Sequence, residues 1–431
     1  DRSPDRSPDA AGATRAAPGW RWRRLLDAPH RLGFFAGALI WAMGAAWWFV
    51  VLGARLAPSA MPWSVSPGLA HALLMTFGFT PLFFTGFLFT AGPKWLAQPE
   101  QPARALLPTV VAAIAGWALF LPGVHLSAAL AAAGLALVAF GWSVFALRFA
   151  RLVLTSRVAD RIHARWVGVA CGVGAIALWS AAASLAAQRE DLARAAVQLG
   201  LWGFVALIFA TVAHRMIPFF NDSAVPGLDL RRPAWLLWLF GATLAAQAAF
   251  GACDALTGPL PAALRWLQVA LEAPVAVLLL WLALRWCFVP TLRRHLRQRL
   301  LLMMYIGFAW FALALTLAAV THATIAIAGD ARAPGLAPLH AMAMGFLGST
   351  LMAMASRVAC GHSGRSQVVD ALLWRLFWLL QGAVLMRLLG VWWPAPLLLA
   401  IAALAWAVVA AGWALRYGRW FGWPRADGRP G

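Results

Sequence analysis

Residues 33–52 read GFFAGALIWAMGAAWWFVVL, a run of twenty residues without a charged side chain. A helix of about 20 mostly apolar residues crosses the hydrocarbon core of a bilayer. Because backbone polar groups find no partner in lipid, such a run must be a helix. Eleven further, predominantly apolar runs follow, at 69–91, 104–122, 126–149, 164–187, 195–217, 234–253, 264–289, 300–325, 337–359, 371–392 and 395–415. The sequence therefore predicts an all-α, polytopic membrane bundle of about twelve transmembrane helices.

The composition excludes a soluble protein. Of the 431 residues, 62% are hydrophobic and only 12% are charged, whereas ordinary soluble domains are about 45–50% apolar and about 25% charged. The surface of a soluble domain needs more polar cover than this chain can supply. A formal net charge of +20 would indicate nucleic-acid binding only in a soluble protein. We therefore expect a lipid bilayer around the chain, and no nucleic acid.

The distribution of basic residues predicts the orientation of the helices. If both termini are cytoplasmic, only six of the 35 Lys and Arg residues face outward. This bias satisfies the positive-inside rule. We expect one transmembrane domain over 31–416, a disordered basic N-terminal tail over 1–30 and a short basic C-terminal tail over 417–431. The six outward residues are Arg55, Arg189, Arg194, Arg265, Arg332 and Arg387.

Two histidines enter their helices at the same depth from the predicted outer side. The stretch around His71 reads AHALLMTFGF and that around His340 reads LHAMAMGFLG, so both contain H-A-x-x-M-x-F. Met75 and Met344 lie one turn further inward on the same faces, where they would flank a cofactor. Two imidazoles at equal depth on two helices are what a bis-histidine haem needs. His71 and His340 are therefore candidate axial ligands of a haem.

The haem propionates would need cationic donors at the outer side, and Arg332, Arg387 and Arg55 are the candidates. Another interpretation of the two histidines is that they only cap helix ends, and that the small residues beside them serve helix packing.

A second metal site is a further alternative. Copper prefers imidazole and thioether ligands, and the outer side offers His322 and His125 as imidazoles and Met75 and Met344 as thioethers. We therefore keep His322 as a candidate metal ligand. The four cysteines show no CxxC spacing, so a thiolate metal site is not expected.

Glu272 is the one carboxylate within an apolar run, about 12 Å from the outer end of its helix at 1.5 Å per residue. A charged group there is costly and normally faces a partner or a cavity. Glu272 could relay protons, hold a ligating histidine from behind, or pair with Arg265. It could also be protonated and hydrogen-bonded between helices.

The run HALLMTFGFTPLFFTGFLFTAGPKW, from His71 to Trp95, resembles the signature of the NnrS family. The stretches HRMIPFF (214–220) and HAMAMGFLGSTLMAMASRVACGHSGR (340–365) also agree with it. This family comprises twelve-span, haem-containing bacterial membrane proteins linked to nitric oxide and denitrification. The resemblance implies a multi-pass protein of the bacterial inner membrane that acts in nitric oxide metabolism or tolerance.

The chain departs from the family in helix 2. The family pattern commonly reads His-Ala-His-Glu-Met, whereas this chain has His71, Ala72, Leu73, Leu74 and Met75. A site that needs one histidine from this helix survives, but chemistry that needs the second histidine or the glutamate does not. The resemblance therefore supports haem better than copper.

The other matched stretches contain polar residues near the predicted inner side. We expect structural roles there, with Pro218 ending a helix and Gly361 and Gly364 making a tight turn. A cytoplasmic effector site is the alternative for Arg215, Phe219, His362 and Arg365.

Two other classes of protein compete with a haem protein of the NnrS type. One is a haem or haem–copper oxidoreductase related to nitric oxide reductases, but such enzymes need closely spaced histidines that no helix here supplies. The other is a secondary transporter without a cofactor. Broken helices around a midplane site are typical of transporters, and Pro81 and Pro274 would interrupt helices 2 and 8.

Overall fold

The computed structural model describes residues 19–57, 61–224, 232–288, 299–329, 335–366 and 368–428. Of the described residues, 84% are helical and none lies in a strand. Among these residues, twelve helices are long and apolar enough to cross a membrane, which confirms the predicted helix count. They are α1 (Pro29–Ala54), α2 (Pro67–Trp95), α3 (Ala103–Leu126), α4 (Ala128–Thr155), α5 (Ile162–Ala186), α6 (Glu190–Phe220), α7 (Ala234–Thr257), α8 (Ala262–Phe288), α9 (Arg299–Ala328), α10 (Ala337–His362), α11 (Ala371–Trp392) and α12 (Pro396–Phe421).

Small residues set the spacing between neighbouring helices. A Cβ atom on Gly116 of α3 would lie 2.5 Å from the carbonyl oxygen of Gly134 on α4. A Cβ atom on Gly123 would lie 2.4 Å from the backbone nitrogen of Ala131. Helices in a membrane associate through such close backbone approach, because lipid supplies no hydrophobic drive between them.

Three helices form the centre of the bundle. In α2, α6 and α10, 83%, 89% and 72% of the most apolar window is buried, whereas the share in each of the other nine spans is at most 67%. These three helices carry the stretches that begin at His71, His214 and His340. The residues that carry the family resemblance therefore line the interior of the molecule, away from lipid.

Each central helix departs from regular α geometry. In α2 the helical segments Pro67–Phe77 and Thr80–Trp95 are separated at Gly78 and Phe79. In α6 and α10 the segments Leu199–Ala206 and Ala341–Gly348 are π-helical. Wide turns of this kind are rare and occur frequently at functional sites.

The prolines affect the helices less than the sequence predicts. The interruption of α2 lies before Pro81, which occupies the first turn of the following segment, where its missing N–H costs nothing. In α8 the helix runs through Pro274 without interruption, so the prediction at Pro274 is wrong. Neighbouring helices and local adjustment tolerate proline in membrane helices.

The two ends of the described chain hold each other. Within the segment predicted as an N-terminal tail, Trp22–Leu26 form a 3-10 helix, and the backbone N–H of Arg21 donates to the carbonyl of Gly422 at 2.9 Å. The guanidinium of the buried Arg31 donates to the carbonyls of Phe421 and Trp423, each at 3.1 Å. Residues 1–18 and 429–431 of the predicted tails lie outside the described residues.

The C-terminal segment also reaches the end of α10. Arg425 donates to the carbonyl of His362 at 3.1 Å, and the N–H of Ala426 donates to the carbonyl of Ser363 at 2.9 Å. A hydrogen bond from Arg425 to the carboxylate of Asp427 raises the pKa of Arg425 above its ordinary value. The first, tenth and twelfth helices are thus connected at one end of the bundle.

Candidate cofactor site

His71 and His340 lie together at the predicted outer end of the central helices. Their rings are within electrostatic range of each other, and both are within range of the guanidinium of Arg387 on α11. Arg387 is half-buried and makes no hydrogen bond or ion pair with any residue that the structure describes. A half-buried guanidinium without a partner is costly, because each of its N–H groups expects an acceptor. The outer end of the central helices therefore has two imidazoles, together with a cation to which an anionic ligand can bind.

The hydrogen bond of His340 fixes which of its nitrogens can bind a metal. Its Nδ1 lies 2.9 Å from the carbonyl oxygen of Leu336, one turn earlier. A carbonyl oxygen only accepts, so Nδ1 carries the proton and Nε2 keeps its lone pair. Metal-binding histidines almost always donate their other ring N–H in this way. His340 is thus preset as an Nε2 ligand.

The ring of His71 is held by stacking. It lies 3.9 Å from the ring centroid of Trp48 on α1, with an angle of 19° between the planes. Its Nδ1 is buried without a hydrogen-bond partner. The guanidinium of Arg55 lies 6.0 Å from the same Trp48 ring. Sequence reasoning missed Trp48, although the Trp47–Trp48 pair in the outer turns of α1 was a visible signal.

The methionines and small residues near His71 and His340 contribute to helix packing. A Cβ atom on Gly44 would lie 3.2 Å from Cε of Met75, and Met344 packs against the core. A Cβ atom on Gly345 would lie 2.6 Å from the indole of Trp310, and one on Gly348 would lie 3.1 Å from Trp406. Leu73 and Leu74, which replace the family's second histidine and glutamate, are fully buried in the core.

The other two outer histidines have no nitrogen left for a metal. Nε2 of His125 accepts from Nε1 of Trp47 at 3.2 Å, and its Nδ1 lies 2.9 Å from the carbonyl of Pro62. Nδ1 of His322 lies 2.9 Å from the carboxylate of Glu272, and its Nε2 lies 3.4 Å from the amide nitrogen of Gln268. Across the described ranges, no group of three or more His, Cys, Asp or Glu residues could hold a metal ion. A metal at His322 would have to displace one of these hydrogen bonds, and His322 as a metal ligand stays a prediction.

Glu272 belongs to a separate polar network that joins α7, α8 and α9. Its carboxylate is buried and accepts from Nε2 of Gln247 at 2.5 Å as well as facing His322. Arg265 does not contact Glu272, because it donates to Asp254 at 2.6 Å and to Oε1 of Gln268 at 3.0 Å.

Arg265 determines which groups of this network donate hydrogen bonds and which accept them. A guanidinium only donates, so Oε1 of Gln268 must face Arg265 and the amide nitrogen of Gln268 must face His322. His322 then accepts at Nε2 and donates its Nδ1 proton to Glu272. The network ties three peripheral helices together, and among the described contacts it does not include His71 or His340.

The inner end of the bundle contains two further histidine pairs that the sequence did not predict as pairs. Nε2 of His163 lies 3.0 Å from Nδ1 of His214. The ring centroids of His30 and His362 lie 4.3 Å apart, and Nδ1 of His30 is buried without a partner. The only available signal was that all four residues fall near the predicted inner ends of their helices.

The remaining matched residues have packing partners. The guanidinium of Arg215 lies 5.0 Å from the ring centroid of Trp95, and that of Arg357 lies 3.9 Å from that of Phe220. The prediction that Pro218 ends a helix is wrong, because the helix continues to Ala224. A turn is present at Gly364, where φ is +67°, and Gly361 still belongs to α10.

Two residues singled out from the sequence cannot be placed. Arg332, a candidate propionate donor, and His295, an inner histidine, lie outside the described residues.

These features define a polytopic helical membrane protein in which two histidines at the outer end of the central helices lie near an arginine of α11 that has no partner among the described residues. The model of the NnrS protein family matches residues 24–425, nearly the whole chain. The chain therefore belongs to the NnrS family, as the resemblance implied. No curated protein matches it significantly.

Proposed function

We propose that this chain is a haem b-binding protein of the bacterial inner membrane that acts in nitric oxide metabolism or tolerance. Membership of the NnrS family supports the link to nitric oxide, and the predicted inward bias of basic residues supports the orientation. In this proposal His71 and His340 are the axial ligands, and the haem lies near the periplasmic face.

One observation carries the haem assignment. Two half-buried imidazoles from α2 and α10 share their surroundings with an arginine that has no partner among the described residues. A haem would satisfy all three groups, since its iron takes imidazole nitrogens and its propionates pair with guanidinium. The donor set therefore fits the cofactor.

The residues around the iron position have distinct tasks. His340 presents Nε2 because Leu336 accepts the proton of its Nδ1. Trp48 holds the plane of the His71 ring by stacking. Arg387 supplies positive charge for a propionate. Haem bound here would supply a redox-active iron that can exchange electrons or take nitric oxide as a ligand.

An absorption spectrum tests the proposal. Protein purified from haem-sufficient cells should show a Soret band and, after reduction, the α and β bands of haem b. His71→Ala or His340→Ala should abolish these bands or convert them to a five-coordinate form, because each removes one axial nitrogen.

His125→Ala is the matched control. It removes an outer histidine whose two nitrogens are both occupied, so the spectrum should not change. An unchanged spectrum in both helix variants would refute the ligand assignment. A colourless wild-type protein would refute the haem proposal and favour a transporter.

A further inference from the structure

A small cavity lies where α1 meets the three central helices. Its volume is about 40 Å³, and every residue that lines it is apolar. Phe34 of α1, Phe83 of α2, Ile208 of α6 and Ala355 of α10 each form part of its wall and are buried. Four different helices therefore line one apolar space, and most of its wall is buried.

The cavity lies in the predicted inner half of the bundle. Its lining residues on α2, between Phe83 and Phe87, follow His71 by 12–16 residues, which is roughly 18–24 Å along a helix at 1.5 Å per residue. The cavity is therefore distinct from the site at His71 and His340.

Aromatic side chains support the walls of this cavity. The ring centroids of Phe34 and Phe83 lie 5.3 Å apart, and those of Phe84 and Phe209 lie 5.4 Å apart. Each ring is held by a neighbour from another helix, so the wall cannot collapse by rotation of a single side chain. A space that stays open among packed aromatic rings can accept an occupant without rearrangement of the helices.

The chemistry of the lining selects the occupant. A buried water needs two to four polar partners, and purely apolar cavities in proteins stay dry and take up xenon. No lining side chain here carries a polar atom that could hold water or a charged ligand. The volume admits one molecule of two or three heavy atoms.

We infer that this cavity is a binding site for one small uncharged gas molecule, such as a diatomic. That the gas in the cell is nitric oxide rests on the proposed function. The gas would be held in the core between the predicted haem position and the inner face, so the protein would concentrate its ligand within the membrane.

Xenon is the probe that tests this site, since it is apolar, of similar size and independent of haem. We expect the purified wild-type protein to bind xenon saturably, as measured by ¹²⁹Xe NMR. Ala355→Leu should weaken this binding at least tenfold, because the larger side chain occupies the cavity. Ile208→Ala, which enlarges the cavity, should keep or strengthen it.

The control is Val111→Leu, on a side chain of α3 that is 60% exposed, and it should bind xenon as the wild type does. Circular dichroism and thermal unfolding verify that each variant is folded. Absence of saturable binding in the wild type, or unchanged binding in folded Ala355→Leu, would overturn the inference. A haem-free protein that still binds xenon would contradict only the proposed function.

Discussion

Hydrogen-bond partners separate the outer histidines into two kinds. His125 and His322 have both ring nitrogens occupied by protein groups. His340 has one nitrogen committed to a carbonyl, and His71 is held by stacking alone. A nitrogen with no protein partner is available to a metal, whereas an occupied one must first lose a hydrogen bond. This difference supports the proposal that His71 and His340 are the ligands.

Replacement of Arg387 tests the charge of the site. Arg387→Gln should weaken haem retention by roughly ten- to a hundredfold, as expected for the loss of a charge-assisted hydrogen bond. It should also lower the midpoint potential, on the order of 50 mV, because a nearby cation favours the reduced iron. A redox titration of the α band measures this shift.

Arg55→Gln is the comparison for Arg387→Gln. The guanidinium of Arg55 lies 6.0 Å from the ring of Trp48, which itself stacks on His71, so the change in potential should be smaller. A larger shift in Arg55→Gln than in Arg387→Gln would contradict the assignment of Arg387 to a propionate.

At the residue scale, the sequence predicted His71 and His340 because they lie at one depth in two helices, and Arg387 as one of three arginines on the outer side. It could not identify Trp48 as the stacking partner of His71, or Leu336 as the acceptor for His340. Those contacts depend on the rotation of each helix about its axis, and a uniformly apolar helix has no face that the sequence distinguishes. The sequence placed Glu272 correctly within a membrane helix. Which of the outer polar groups it contacts depends on the same rotation, so its partners could not be predicted.

At the scale of helices, the distortions of α2, α6 and α10 are linked by packing. A Cβ atom on Gly200, in the π-helical segment of α6, would lie 2.2 Å from the ring of Phe77, which ends the first part of α2. A Cβ atom on Gly345, in the π-helical segment of α10, would likewise lie 2.6 Å from the ring of Trp310 on α9. At these irregular segments, an aromatic ring from a neighbouring helix therefore occupies the space that a side chain at the glycine position would need.

Added side chains at these glycines should destabilise the bundle. Gly200→Ala and Gly345→Ala should each cost about 1–3 kcal/mol, the typical penalty of overpacking, and lower the midpoint of thermal unfolding in detergent. Gly172→Ala and Gly382→Ala are matched controls in membrane helices, since no atom lies within 4 Å of the added carbon.

The controls should be neutral or stabilising, because alanine favours helix more than glycine does. If the controls destabilise the protein as much as the test variants, close packing is not the reason for glycine at positions 200 and 345.

The sequence predicted the twelve helices because each contains a predominantly apolar run of membrane length. It did not predict the π-helical segments, since one extra residue in a turn leaves no periodic signal in an apolar run. Proline was a poor guide as well: α8 and the helix through Pro218 continue past their prolines.

At the scale of the whole molecule, the predicted orientation can be tested with the only lysine of the chain. Lys94 is exposed at the end of α2 that lies opposite His71. An impermeant amine reagent should label the protein in inside-out vesicles and not in intact spheroplasts. Lys94→Arg controls for labelling of the N-terminal amine. Labelling of Lys94 in spheroplasts would invert the topology and place the candidate haem site on the cytoplasmic side.

The contact between the two described chain ends has a consequence for assembly. The backbone N–H of Arg21 and the guanidinium groups of Arg24 and Arg31 donate to carbonyls of residues 421–423. These carbonyls follow the twelfth described helix in the chain but lie beside the first, so the first helix gains these acceptors only after the twelfth has been translated. A chain truncated before Phe421 would therefore lose hydrogen bonds at the opposite end of its sequence.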